Sequence, residues 1–295
     1  MAQEITLSTA PRTNLLSLQN TTGLIGRTQE RLTTGLKVNS AIDDALAFFK
    51  ARNLNARAQD LASVKDGIMG GISVLRTATQ GLEAIENVLK QMKALAQSAM
   101  SAPESTTRAK LASQFNELRS QVDNLAEDSS FNGVNLLKNT TSNFDPGADM
   151  MTVKFNERVE PIGVNQLIVS GLTLGDFTTI MATSATATGA GTEVWGVTGQ
   201  TAITAITGAI RAIDSALVTV RQAAQAFGTN ASMLQIRADF TTNIINTLKG
   251  GAAELVNADL NEESANLLSL QTRQQLGTIS LGIAQQSEQS ILRLF

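Results

Sequence analysis

Ile203, Ile206, Ile210, Ile213, Leu217, Val220, Ala224, Phe227, Ala231, Leu234, Ala238, Thr241, Ile245, Leu248, Ala252 and Leu255 stand at alternating spacings of three and four residues, and fifteen of the sixteen are apolar. An earlier stretch repeats the pattern: Ala47, Lys50, Leu54, Arg57, Leu61, Val64, Ile68, Gly71, Leu75, Ala78, Leu82, Ile85, Leu89, Met92, Ala96 and Ala99, with thirteen of sixteen apolar. In a chain that is 42% hydrophobic, chance would supply about seven in each set. Such spacing makes the apolar seam of a helix in a left-handed supercoil. Each array covers 53 residues, which at ~1.5 Å per residue predicts a rod roughly 80 Å long. Two arrays of equal length, one early and one late, predict an antiparallel pair with an Ala-rich seam of close approach. Gly70-Gly71, Gly208 and Gly228 lie inside the arrays, where glycine costs ~1 kcal/mol. They are expected at close backbone approaches or mild kinks.

The expected fold is mainly α, a long antiparallel coiled-coil-like rod with a small β-containing tip lobe. A third helix is expected from about Glu104 to Glu127, with Pro103 in its first turn. Its stripe is Leu111, Phe115, Leu118, Val122 and Leu125, and it should fold back on the first array as an αα-hairpin. After it, Asn132-Gly133 favours a tight turn, and burial of Phe131 would pin that turn to the rod. From about Asn139 to Thr201 the helical period vanishes. Met151–Phe155 and Leu167–Val169 are β-prone, with turn signals at Asn143–Gly147 and Pro161–Gly163.

Both ends return to the three-four spacing, through Leu15, Leu18, Thr22, Ile25, Gln29 and Leu32, and through Leu267, Leu270, Gln274, Gly277, Leu281, Ala284, Glu288, Ile291 and Phe295. Ile279, Ile283 and Leu292 lie on further faces, so the last helix wants neighbours on more than one side. Gln271, Gln275, Gln285, Gln286 and Gln289 fill its other positions, and glutamine is desolvated far more cheaply than a charge. Either these ends pack back on the rod as an ordinary bundle, or they stay unpaired and fold against copies of the same chain. A contact between different faces of such an element is heterologous and builds an open filament unless rotation closes it.

Composition narrows function. The 295 residues include no His, no Cys and no Tyr. This excludes His/Cys zinc sites, Ser-His-Asp and Cys-His catalysis, and haem-thiolate or iron–sulfur ligation. Charged residues are 17% and the net charge is −3, which disfavours a nucleic-acid or anionic-membrane partner. No uninterrupted apolar run approaches the ~18 residues of a membrane span, and Met1–Thr6 carries an acid where a signal peptide wants bases. Asp43-Asp44 has no third metal ligand nearby, and its acids suit a helix N-terminus. No cofactor or small-molecule substrate is expected.

The stretch Arg31-Leu32-Thr33-Thr34-Gly35-Leu36-Lys37-Val38-Asn39-Ser40-Ala41-Ile42-Asp43-Asp44-Ala45 closely resembles the N-terminal signature of bacterial flagellins. Ser130-Phe131-Asn132-Gly133-Val134-Asn135-Leu136-Leu137 resembles the loop after that family's second long helix. Ala258-Asp259, Glu263, Asn266, Gln271, Gln274, Gln275, Gly277, Thr278, Leu281 and Ala284, then Ile291-Leu292-Arg293-Leu294-Phe295, resemble its C-terminus. The resemblance covers roughly residues 12–140 and 203–295. Thr9-Ala10-Pro11 departs from the family's usual opening, and Pro11 should place the first helix start near it.

The resemblance implies a filament subunit used for swimming motility, exported unfolded through the flagellar channel without a cleaved signal and located in the extracellular filament. The related alternative is a hook–filament junction protein; from another class, an intracellular coiled-coil scaffold. Implied partners are copies of itself, the export apparatus, an export chaperone, the filament cap and hook-junction proteins. Residues 1–42 with 257–295 would form the inner tube, 43–140 with 202–256 the rod domain, and 141–201 a small outer lobe. The implied self-assembly residues are Leu15, Leu18, Ile25, Leu32, Gly35, Asn39, Asp43, Asp44, Leu267, Leu270, Gln274, Leu281, Ala284, Ile291 and Phe295. Gly35 would supply positive φ at the joint between shells, and the two acids would meet basic residues of a neighbour. Leu89, Gln91 and Leu95 lie in a segment similar to the family's Toll-like-receptor-binding stretch. Gln91 stands where the receptor-binding form has Arg, so recognition should be poor. Thr178, Thr179, Thr183 and Ser184 are candidate O-glycan acceptors.

Overall fold

A computed structural model describes residues 9–137, 150–157, 165–172, 195–196 and 199–292. They form α1 (Thr9–Thr34), α2 (Ala45–Ser101), α3 (Ser105–Asp128), β1 (Ser130–Phe131), β2 (Val134–Asn135), β3 (Met150–Lys154), β4 (Gln166–Ser170), α4 (Gln200–Val256) and α5 (Leu260–Leu292). The chain divides into two compact units, Met1–Ala58 with Asn246–Phe295, and Gln59–Ile245. The candidate glycan acceptors lie outside the described residues.

In the Gln59–Ile245 unit the expected seam becomes the core. Ile68, Leu75, Ala78, Leu82, Ile85, Leu89, Met92, Ala96 and Ala99 of α2 are buried with Ile206, Ile213, Leu217, Val220, Phe227, Leu234 and Ala238 of α4. The helices run antiparallel, pinned at the seam's edge by Lys93 with Asp214 and by Arg221 with Glu86 at 2.9 Å. Arg221, and then Lys90 one turn along α2, hold the Glu86 carboxyl below its ordinary pKa. The seam drifts at its ends. Ile203 is exposed, and Ala202 and Ala209 are buried instead. Nearer the start of α2, Lys50 and Arg57 are exposed and the adjacent Ala51 and Ala58 are buried, because burying a charged side chain costs more than shifting the stripe by one residue. An 18-residue window within Ala202–Val256 has mean hydropathy 1.5, long and apolar enough to cross a membrane. Its apolar character lies in the average and not in any long uninterrupted run. Ile206, Ile213, Leu217 and Val220 bury part of that helix's apolar surface in the protein core.

α3 packs on the same core through Ala112, Phe115, Val122 and Ala126, with Leu111, Leu118 and Leu125 partly buried beside them. Its N-cap is Glu104, so Pro103 precedes the helix rather than entering its first turn. β1 and β2 form an antiparallel hairpin whose Asn132 and Gly133 both have positive φ, 51° and 79°, as a type I′ turn requires. Phe131 does not pin it, being 42% exposed; the anchors are Ser129, Leu136 and Leu137, all buried. Gly81 of α2 makes room for them. A Cβ there would collide with Ser129 Oγ and meet Leu137 Cδ1 at 2.8 Å. Gly71 is likewise a close approach, where a Cβ would lie 2.6 Å from Val153 Cγ2, whereas Gly70, Gly208 and Gly228 have open space. β3 and β4 pair antiparallel and place Met151, Val153 and Val169 on the core. Trp195 is buried against Phe115, and Arg108 Nε donates to its carbonyl at 3.0 Å.

Candidate self-assembly surface

The unit holding both chain ends is built around a reversal at Gly35. Gly35 takes φ 70° directly after α1, and its N–H donates to the Arg31 carbonyl at 2.8 Å. This is the left-handed cap that glycine provides without Cβ strain. The chain then pairs with the junction between α4 and α5. Leu36 bridges Asn257, Lys37 N–H donates to the Val256 carbonyl (2.7 Å), and Ala258 N–H donates to the Gly35 carbonyl (2.9 Å).

The next turn is fixed by Asp43. Its Oδ2 accepts from the Ser40 N–H (3.0 Å), the Ser40 hydroxyl (3.1 Å) and the Asn39 N–H (3.2 Å). The backbone bond from Ser40, followed by its hydroxyl, holds the carboxyl below its ordinary value of 3.8, since each favours the ionised form. Asp44 caps α2, accepting from Ala47 N–H at 3.0 Å. Asp259 caps α5 in the same way, from Asn261 and Glu262. The acid pair is a helix-start device, as the sequence suggests.

α1 and α5 pair antiparallel. Arg31 Nη1 bonds Glu263 Oε1 at 2.9 Å at one end, and Asn14 Nδ2 reaches Ser280 Oγ at 3.4 Å towards the other. Between them a Cβ on Gly277 would lie 2.8 Å from Leu18 Cδ1. On α5 the covered positions are Glu263, Leu267, Leu270, Gln274, Gly277, Leu281 and Ala284, in the expected phase. On α1 they are Asn14, Leu18, Thr21, Ile25, Thr28 and Leu32, so Leu15, Thr22 and Gln29 turn out to solvent. Leu18, Ile25 and Leu32 keep the expected phase, and the alternate positions shift by one residue. Thr21 accommodates the shift by donating its hydroxyl to the Ser17 carbonyl at 2.8 Å.

The candidate assembly residues therefore fall into groups. Ile25 is buried, and Leu18, Leu32, Leu267, Leu270, Gln274, Leu281 and Ala284 are partly buried between α1 and α5. Gly35, Asn39, Asp43 and Asp44 surround the joint, the last three exposed. Leu15 is exposed, the Ile291 side chain is not described, and Phe295 lies outside the described residues. A second set of apolar side chains is bare: Leu16, Leu24, Leu268, Leu276, Ile279 and Ile283, from 40% to 67% exposed. Ile279 and Ile283 are legible in the sequence as a further face; Leu16, Leu24, Leu268 and Leu276 are not. The two ends thus pair with each other and still leave apolar surface uncovered. In the receptor-like segment Leu89 is fully buried, Leu95 is partly buried and Gln91 is exposed. Among the described residues no group of His, Cys, Asp and Glu is placed to hold a metal.

Long helices that pair with each other and still leave apolar side chains of α1 and α5 bare define a helical structural protein. The flagellin N-terminal helical region matches residues 7–142, and the flagellin C-terminal helical region matches residues 210–295. The chain belongs to the flagellin family, the non-enzymatic subunits that self-assemble into the bacterial flagellar filament. Flagellin FljM of Caulobacter vibrioides is 34% identical over 292 residues, covering 95% of each chain. A flagellin of Brucella melitensis is 27% identical over 301 residues, covering 100% of this chain and 99% of its own. Bacillus cereus flagellin, of known crystal structure, is similar over 59% of this chain and 88% of its own, at 18% identity and TM-score 0.44.

Proposed function

We propose that filament growth runs through the α1–α5 pair. Residues 1–42 with 257–295 line an inner tube, residues 43–140 with 202–256 form the surrounding shell, and residues 141–201 face outward. The observation that supports this most is the bare apolar set Leu16, Leu24, Leu268, Leu276, Ile279 and Ile283 on helices already paired with each other. Covering such surface is worth ~25 cal/mol per Å², and a head-to-tail contact between different faces builds an open filament unless rotation closes it. The positions named for assembly then divide the work. Leu18, Ile25, Leu32, Leu267, Leu270, Gln274, Leu281 and Ala284 hold the pair together, Gly35, Asn39, Asp43 and Asp44 set the joint, and Leu15, Ile291 and Phe295 add to the surface between copies. Export through the flagellar channel, an export chaperone, the filament cap and hook-junction proteins complete the pathway. Leu89, Gln91 and Leu95 give a poor match to the Toll-like receptor.

Seeded polymerisation of the purified full chain, followed by negative-stain microscopy, tests the proposal. The wild-type chain should elongate seeds into filaments. The Ile279→Asp/Ile283→Asp double variant, changed only at exposed side chains, should remain helical and fail to elongate. A double variant that grows like wild type would remove α5 from the assembly surface.

A further inference from the structure

The start of α2 carries a ridge on one side and a groove on another. Ile42, Leu46 and Phe49 are 95%, 67% and 53% exposed, large apolar side chains with no cover among the described residues. The ridge is held firmly. Ile42 precedes Asp43, whose carboxylate gathers three hydrogen bonds across residues 39–40. Phe49 meets Phe48 edge-to-face at 5.6 Å. The groove, a cavity of about 330 Å³, is lined by the apolar side chains of Leu36, Val38, Phe48 and Val256, with Arg52 and Asn55 also on its wall. That volume sits at the low end of the ~300–1,000 Å³ that holds a small ligand, the size of a small cluster of apolar side chains.

Leu46 and Asn55 are 2.5 turns apart on one helix at ~3.6 residues per turn, so they face opposite ways. The ridge cannot fill the groove of its own chain, but it can fill that of the next. Charge agrees: Asp44 flanks the ridge and Arg52 the groove, and neither has an ion-pair partner among the described residues. We infer that Ile42, Leu46 and Phe49 of one copy seat in the Leu36–Val38–Phe48–Val256 groove of the adjacent copy, with Asp44 meeting Arg52 across the contact. The contact is heterologous, so it propagates as an open filament unless its rotation closes a ring. It rests on the filament-subunit reading but names a surface separate from the bare face of α5.

Two measurements on the full chain test it. Ile42→Asp alters a side chain that touches almost nothing in the monomer. The monomer should stay folded by circular dichroism, while the critical concentration for growth on wild-type seeds rises at least about tenfold. Because the chain has no cysteine, Leu46→Cys and Asn55→Cys introduce unique thiols at exposed sites. Filaments grown from an equal mixture of the two and then oxidised should yield a disulfide-linked dimer, and filaments of either variant alone should not. Ile42→Asp growth equal to wild type, or mixed filaments without that dimer, overturns the ridge-and-groove contact and leaves assembly through α5 standing. Wild-type chain that never elongates seeds overturns both.

Discussion

Gly81→Ala and Gly70→Ala make the same chemical change on the same helix and should shift stability in opposite directions. Both glycines lie inside α2, where replacement by alanine gains up to ~1 kcal/mol of helix propensity. At Gly70 a Cβ meets nothing within 4 Å, so that gain stands. At Gly81 the Cβ collides with Ser129 Oγ and approaches Leu137 Cδ1 at 2.8 Å. Ser129 is buried, its hydroxyl bonded to the Leu125 carbonyl, and Leu137 is fully buried, so neither has space to retreat. Overpacking of this kind costs ~1–3 kcal/mol, and displacing the Ser129 bond adds ~1 kcal/mol. After the propensity gain, Gly81→Ala should be net destabilising by about 1–3 kcal/mol. Urea unfolding followed by Trp195 fluorescence is the assay. This is the chain's single tryptophan, and it is buried in the same unit as both glycines. The Gly81→Ala midpoint should fall and the Gly70→Ala midpoint stay level or rise. A Gly81→Ala protein as stable as wild type would refute the claim that Ser129 and Leu137 are seated through the missing Cβ.

Other outcomes follow from the joint. Gly35→Ala keeps a residue at φ 70° that L-residues avoid by ~1–2 kcal/mol; thermal melting should show a destabilisation of about 1 kcal/mol. Glu263→Ala strips Arg31 of its partner. Arg31 stays partly solvated, so the loss should be only about 1–2 kcal/mol, visible as faster hydrogen exchange along α1 and α5. Asp43 has its folded pKa lowered by Ser40, so its contribution is present above the unfolded value of 3.8 and is lost as pH falls through the folded one. Carboxyl NMR titration should place Asp43 below an ordinary aspartate, and Ser40→Ala should return it part of the way. The lowered Glu86 obeys the same sign, and Arg221→Met should move its titration up.

Much of the fold was legible because heptad spacing is a local property. The seam from Leu61 to Ala99 and its counterpart on α4 need only helix geometry and apolar side chains. The Asn132-Gly133 turn and the positive φ of Gly35 follow from what those residues tolerate. The side Phe131 faces is not legible, since a large apolar residue beside a turn can face either way, and Leu136 and Leu137 take the anchoring role. Gly81 gave no signal, since a glycine in a helix says nothing about what approaches it. Alternate positions of the α1 seam differ by one residue because Asn14, Thr21 and Thr28 do not announce themselves as seam residues.

By itself, the sequence determined that long amphipathic helices form, roughly which stretches they occupy, and that catalysis by His or Cys is absent, because these depend on residue type and near neighbours. Only tertiary structure decided which apolar face of α1 and α5 is covered and which is bare. Those helices carry apolar residues on several faces, so local chemistry leaves the faces nearly equivalent, and the position of the partner helix breaks the tie.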